Sequence, residues 1–295
     1  MLWILTTLIA SVGQTARNAM QSSLTPTLGT LGATQVRFVY GFPFALLFLA
    51  VIAGATGSAA PAPTAAFLGL TAGGAVAQIA GTALLLAAMR ARAFSVAITL
   101  TKTEALQVAV FGLVFLGDSL TPLRVAAIAI ATGGVLLVAA KPGERWSAQT
   151  LRPFLLGIAS GATFALSAVG FRGGILALGD GAYYVRATTT LVWSLGIQAL
   201  LLGAWMSAFD RAALLRSFAV WRQSLFAGFM GAFASQFWFL GFSLTAAVNV
   251  RTLALLEVLF AQAVSRRVFG QRVSTRELLG MAILTAGVAL LLAAA

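Results

Sequence analysis

Polar residues interrupt this chain sparingly. Apolar runs of helical length recur near 2–20, 32–53, 65–89, 93–116, 122–140, 151–171, 182–204, 218–243, 246–269 and 275–295. A helix needs about 20 apolar residues to cross about 30 Å of hydrocarbon, so the pattern predicts ten transmembrane helices. The separators carry chain breakers or charge: Thr25-Pro26 with Gly29, the stretch 54–64, Arg90 and Arg92, Gly117-Asp118, Lys141-Pro142-Gly143-Glu144-Arg145, Gly179-Asp180-Gly181, Asp210-Arg211, and Arg266-Arg267 with Gly270 and Arg272. The first run lacks a basic leader and passes into the polar stretch Gln14-Thr15-Ala16-Arg17-Asn18. It reads as a retained span rather than a cleaved signal.

Composition agrees with an all-α integral membrane protein. Of 295 residues 60% are hydrophobic and 9% charged, against about 25% charged in soluble domains. The absence of Cys excludes disulfides, thiolate zinc sites and thiol nucleophiles. The absence of His excludes imidazole bases, ligands and proton relays. The net charge of +12 would suggest nucleic acid in a soluble protein, but here the cations are scattered between apolar runs, where they orient a chain in a bilayer. The expected partners are the lipid bilayer and a small-molecule substrate, with no nucleic acid. Assigning each Lys or Arg outside mid-helix to its nearer loop puts fourteen on one side, Arg17 and Arg37 among them, and four on the other, including Arg172, Arg186 and Arg251. By the positive-inside rule this bias places both termini outside the cytoplasm of an inner-membrane protein.

The chain also repeats. A shift of 149 lays Ile9-Ala10-Ser11 on Ile158-Ala159-Ser160, and Gly32, Ala33, Val36 and Arg37 on Gly181, Ala182, Val185 and Arg186. A shift of 153 lays Glu104 on Glu257, Gly117 on Gly270, Thr121 on Ser274, Ala129-Ile130 on Ala282-Ile283, Thr132 on Thr285 and Gly134-Val135 on Gly287-Val288. Matching charges inside apolar helices are improbable coincidences. The reading is two five-helix halves, 1–146 and 147–295, within one membrane domain. An odd number of crossings turns the second half upside down, which relates the halves by a two-fold axis in the membrane plane. That arrangement is characteristic of alternating-access transporters, with a midplane site between the repeats.

Two of the seven acidic residues, Glu104 and Glu257, fall in mid-helix. A charge at that depth costs at least about 2.5–3.5 kcal/mol and faces a bundle interior or a cavity. The repeat brings both carboxylates to one cavity, as proton or substrate sites. Lys102 lies two residues before Glu104, about 200° around an unbroken helix, so the two face apart. Its partner is then Glu257, a substrate carboxylate or a backbone carbonyl. Arg37 and Arg186 open the second and seventh helices and read as interfacial anchors or as attractors of anions at the mouths of a path. Gln14, Asn18, Gln78, Gln107, Gln236 and Asn249 supply polar surface for helix contacts or for lining a path. Trp238, with Phe237 and Phe239, forms an aromatic wall that packs, faces lipid or borders the path. No P-loop, metal-ligand cluster or G-x-S-x-G pattern occurs, and the site residues call for no metal, no cofactor and no enzymatic triad.

The two halves end in Glu104-Ala-Leu-Gln, Phe115-Leu116-Gly117-Asp118-Ser119-Leu120-Thr121 and Gly133-Gly134-Val135-Leu136-Leu137, and in Glu257-Val-Leu-Phe, Phe269-Gly270-Gln271-Arg272-Val273-Ser274 and Gly287-Val288. This pattern resembles the EamA-type repeat of the drug/metabolite transporter superfamily across nearly the whole chain. The resemblance implies two inverted five-helix repeats and transport of small metabolites, amino acids or drugs, often outward. Asp118 and Gln271 stand where that family has a turn glutamate, and Glu104 and Glu257 lie beside its usual proline positions. The family keeps its termini cytoplasmic, opposite to the charge count. The combined expectation is a secondary transporter, not an enzyme, exporting a small polar or amphipathic metabolite such as an amino acid, with proton coupling through a glutamate. Alternatives are an exporter of cationic drugs or metabolites, a membrane enzyme acting on lipid, and a non-transporting scaffold.

Overall fold

The computed structural model describes residues 1–91, 94–139, 148–260, 262–263 and 274–294. Arg92, the 141–145 separator, the proposed boundary at 146/147, and the positions Arg266, Arg267, Gly270, Gln271 and Arg272 lie outside the described residues. Every regular element among those described is helical. In chain order these are α1 (Leu2–Val39), α2 (Phe42–Thr56), α3 (Ala65–Ala91), α4 (Phe94–Thr101), α5 (Glu104–Phe111), α6 (Pro122–Ala139), α7 (Ala148–Ala177), α8 (Tyr183–Phe209), α9 (Arg211–Ala219), α10 (Trp221–Leu244), α11 (Ala247–Leu253) and α12 (Thr275–Ala293). Seven helical stretches are long and apolar enough to cross a membrane, and Pro122–Val138 is a shorter apolar helix.

Polarity runs opposite to that of a soluble protein. Large apolar side chains such as Leu200, Val114, Phe115 and Phe226 are exposed, while Arg17, Arg37, Lys102, Glu104, Arg251 and Glu257 are buried. Lipid takes up the first set at no cost; the second needs a protein interior.

The expected turn at Thr25-Pro26 and Gly29 is a break without a loop. The continuous helical stretch Leu2–Thr56 has 55 residues, about 80 Å at helical rise, more than twice a bilayer core. Pro26 removes one backbone donor, and Gly29, at φ 72° and ψ 173°, holds a conformation open essentially to glycine alone. Helix resumes at once, so the second leg starts before the predicted residue 32 and carries Arg37 deep into the protein. Asp210 is a cap rather than a simple breaker: its side chain accepts from the Ala213 amide at 3.1 Å and starts α9, an element absent from the sequence pattern.

Helices pack most extensively in the pairs α1 with α10, α3 with α7, and α6 with α12. The last pair is in backbone contact through glycine. A Cβ on Gly134 would lie 2.6 Å from the Gly280 carbonyl oxygen, and one on Gly287 would lie 2.7 Å from the Ala131 Cα. Small residues let helices approach closely where lipid supplies no hydrophobic drive. The neighbouring Gly133 faces open space. Gly134→Ala should therefore lower the thermal stability of purified protein by the equivalent of about 1–3 kcal/mol of overpacking, while Gly133→Ala leaves it unchanged or slightly raised; equal effects would contradict this packing.

Candidate functional site

The two mid-helix glutamates stand at breaks in their helices. The fourth apolar run divides at Lys102-Thr103, where the amides of Lys102, Thr103, Ala105 and Leu106 bond three residues back, to Thr99, Leu100, Lys102 and Thr103. In the ninth run α11 passes into a 3₁₀ turn, Ala254–Leu256, before helix resumes at Glu257. The shift of 153 lays 101–103 on 254–256, so the breaks fall at equivalent positions. Mid-helix 3₁₀ turns mark hinges or strain. Each glutamate opens the helical piece after its break, where the helix dipole favours a carboxylate.

The broken turn also places Lys102 and Glu104 on one cavity, against the expectation that they face apart. Their residues line it together with Gln14, Asn18 and Arg37 from α1, Gln78 from α3, Ser235 and Trp238 from α10, and Arg251 and Glu257. The free space is about 10 Å³, room for roughly one water molecule. The chamber is closed.

Inside it the ion pairs cross. Lys102 Nζ lies 2.5 Å from Glu257 Oε2, and Arg251 lies 3.3 Å from Glu104 Oε1. Each carboxylate is thus paired with a cation carried by the other broken helix. Glu257 is fully buried and accepts two further bonds, from Gln14 Nε2 at 2.9 Å and Asn18 Nδ2 at 3.4 Å. Trp238 Nε1 donates to Gln14 Oε1 at 2.9 Å, which turns the Gln14 amide toward Glu257. The aromatic wall therefore borders the chamber through Trp238 and Phe239. Glu104 is held less fully: Arg251 is within ion-pair distance, but Oε1 has no aligned hydrogen bond. The Arg251 guanidinium also lies over the rings of Trp238 at 4.6 Å and Phe242 at 5.1 Å, a shelf that offsets part of its desolvation.

Arg37 is no interfacial anchor. It is 1% exposed, lines the chamber and donates to Thr82 Oγ1 at 2.9 Å and Ser235 Oγ at 3.3 Å. The early restart of helix after Gly29 is the reason. Its repeat counterpart Arg186 remains at a helix end, half-buried, donating to the Gly179 carbonyl at 2.8 Å; it does not line the chamber. Gln107 and Asn249 do not line it either. Gln107 is half-buried with Oε1 toward Gly161 of α7, and Asn249 is buried and donates to Thr245 Oγ1 at 2.9 Å. Gln78 reaches the chamber while its Oε1 accepts from Gln198 at 2.9 Å, and Gln236 donates across helices to Thr188 at 2.7 Å.

Two buried cations, Arg17 and Arg251, are missed by the sequence reading. Arg17, a loop cation by the charge pattern, is 1% exposed and donates to Asn18 Oδ1 through Nε and a terminal nitrogen at 3.2 and 2.6 Å. Its signal was present: Gln14, Arg17, Asn18, Gln21 and Thr25 recur at helical spacing and are all inward-facing. Arg251 lies six residues before Glu257 in an apolar run, where its cost already implied a buried partner. Arg17, Arg37 and Arg251 therefore drop out of the count of loop cations.

No family model and no curated protein matches the chain. Its fold is similar to that of a solved protein described only as "Crystal structure of protein", with a TM-score of 0.70 at 15% identity over 98% of this chain and 94% of that one. A likeness at that identity concerns the fold alone.

Breaking one member of a buried ion pair leaves an uncompensated charge and costs about 3–5 kcal/mol, whereas removing both is far milder. Lys102→Met should accordingly destabilise the protein strongly, and Lys102→Met with Glu257→Gln should recover most of the loss. Additive losses in a double-mutant cycle, read by denaturant or thermal unfolding, would show that the pair is not a unit.

Proposed function

We propose that this chain is a secondary transporter that moves a small metabolite by alternating access between two inverted five-helix halves, 1–146 and 147–295. The observation that carries the reading is the closed chamber walled by two equivalent broken helices, each contributing a glutamate paired to the other's cation. Discontinuous helices meeting at midplane are how membrane proteins expose polar groups to a solute.

The contacts support the two-half arrangement. The break at Gly29 divides the 55-residue stretch into two crossings. With α6 and the broken ninth run included, the crossings number ten. Under the repeat α1 corresponds to α7 and α3 to α10, and the two extensive pairs α1 with α10 and α7 with α3 exchange. Equivalent helices α6 and α12 lie side by side: Gly134 meets Leu284, and Gly287 meets Ala131, which is the position equivalent to Leu284. Gly134 also meets Gly280, so the pairing runs antiparallel. Antiparallel packing of equivalent helices is what an in-plane two-fold axis produces. The resemblance to EamA-type transporters points the same way. In this reading the chain is a multi-pass inner-membrane protein, and the cation bias places its termini outside the cytoplasm.

Transport requires the crossed pairs to separate so that the chamber opens to one side. Proton coupling would run through Glu104, held by a single off-line cation, rather than through Glu257, held by three donors. The near-absence of free space favours a second reading, a non-transporting scaffold whose midplane stays packed.

Proteoliposome counterflow with labelled amino acids, dicarboxylates, sugar phosphates and amines tests both. The expected result is saturable exchange of one class, with Glu104→Gln losing dependence on a pH gradient by at least tenfold and Glu257→Gln losing exchange altogether. Wild-type rates in both variants would remove the glutamates from the mechanism, and no flux of any class would favour the scaffold.

A further inference from the structure

Among the described residues the buried charges do not balance. Four cations, Arg17, Arg37, Lys102 and Arg251, are buried with two anions, Glu104 and Glu257, and each glutamate already has its own partner. Among the described residues no carboxylate pairs with Arg17 or Arg37. The groups that hold them are neutral: the Asn18 amide oxygen for Arg17, and the Thr82 and Ser235 hydroxyls for Arg37. A terminal nitrogen of Arg17 and the Nε of Arg37 have no partner at all. Both stems pack on one glycine: a Cβ on Gly231 would lie 3.0 Å from Arg37 Cγ and 3.7 Å from Arg17 Cδ. Two like charges therefore lie side by side in the interior.

Arginine cannot relieve such a site by giving up its proton. Lysine or histidine could. A buried arginine pair without an acid is instead the arrangement that recognises a planar or tetrahedral oxyanion, through paired N–H donors.

We infer that a small organic dianion, a dicarboxylate or a phosphate ester, binds at the edge of the chamber that Arg37 lines, its oxygens bridging Arg37 to the neighbouring Arg17 and neutralising the two surplus charges. The inference rests on the transporter reading and narrows its substrate class, setting aside the amine and cationic-drug alternatives. Bound between the guanidiniums, the oxyanion displaces the weak hydroxyl and amide acceptors and meets the two donors now without partners. Asn18 ties this anion subsite to the crossed ion pairs, since it accepts from Arg17 and donates to Glu257. Because the free space admits about one water, the anion enters when the halves part.

The test is thermal unfolding of the purified full-length protein with succinate, glycerol 3-phosphate, leucine, putrescine and chloride at matched ionic strength. A ligand that prefers the folded state raises the melting temperature. Succinate or glycerol 3-phosphate should raise it, and which of the two does so identifies the source of the oxyanion. Arg17→Gln and Arg37→Gln should each weaken that response at least tenfold while raising the melting temperature without ligand, because each removes an uncompensated buried charge. Arg186→Gln, at a helix end away from the chamber, should do neither. Stabilisation by leucine or putrescine but not by dianions overturns the inference, as does an equal effect of chloride. So does a fall in ligand-free stability for Arg37→Gln, the result expected of a purely structural arginine. Counterflow separates the two readings: exchange of a neutral or cationic solute by protein indifferent to dianions overturns the anion subsite and leaves transport standing, whereas arginine-dependent dianion binding without flux upholds the subsite and overturns transport.

Discussion

A carboxylate buried in an apolar bundle must find a cation, and in this protein each finds it on the other broken helix. The pairs Lys102–Glu257 and Arg251–Glu104 cross between the two runs, so neither half of the core can be displaced without exposing charge to a poor solvent. That requirement explains why the chamber is closed and why so much hydrogen bonding converges on it. Gln14 and Asn18 complete the shell of Glu257, Trp238 orients Gln14, and stacked aromatic rings carry Arg251.

The helix breaks make the crossing possible. An unbroken helix would direct Lys102 and Glu104 to opposite faces; the tightened turn at 102–103 brings both to the same space. The equivalent 3₁₀ turn before Glu257 does the same work in the ninth run. No proline occupies either turn. Here the tightened turn keeps its amides bonded three residues back, so the break leaves them satisfied.

Polar and apolar contacts divide the structural roles. Glycine-mediated approach of α6 and α12 gives a seam with no polar requirement, suited to holding the proposed halves together. The chamber is held by charge, through the crossed pairs Lys102–Glu257 and Arg251–Glu104. The proposed alternating access would use both kinds of contact, and in the fold they are segregated.

What could be read from sequence was what one dimension encodes. Hydropathy determined that the chain is helical and apolar enough for a membrane, because each span must satisfy its own backbone in lipid. The cost of mid-helix charge singled out Glu104, Glu257 and Lys102 before any coordinates. Which partner each would take was decided in three dimensions, because it depends on breaks of one or two residues. Gly29 let helix resume without a loop, and of the two places expected for Arg37, an interfacial anchor or the lining of a path, the fold gives a buried position on the chamber, while its counterpart Arg186 stays at a helix end. Arg17 and Arg251 went unnoticed for the same reason: position along the chain gives distance from a loop, whereas depth and facing depend on where a helix bends. Periodicity locates the spans; the balance of charge inside them exists only once the helices are packed.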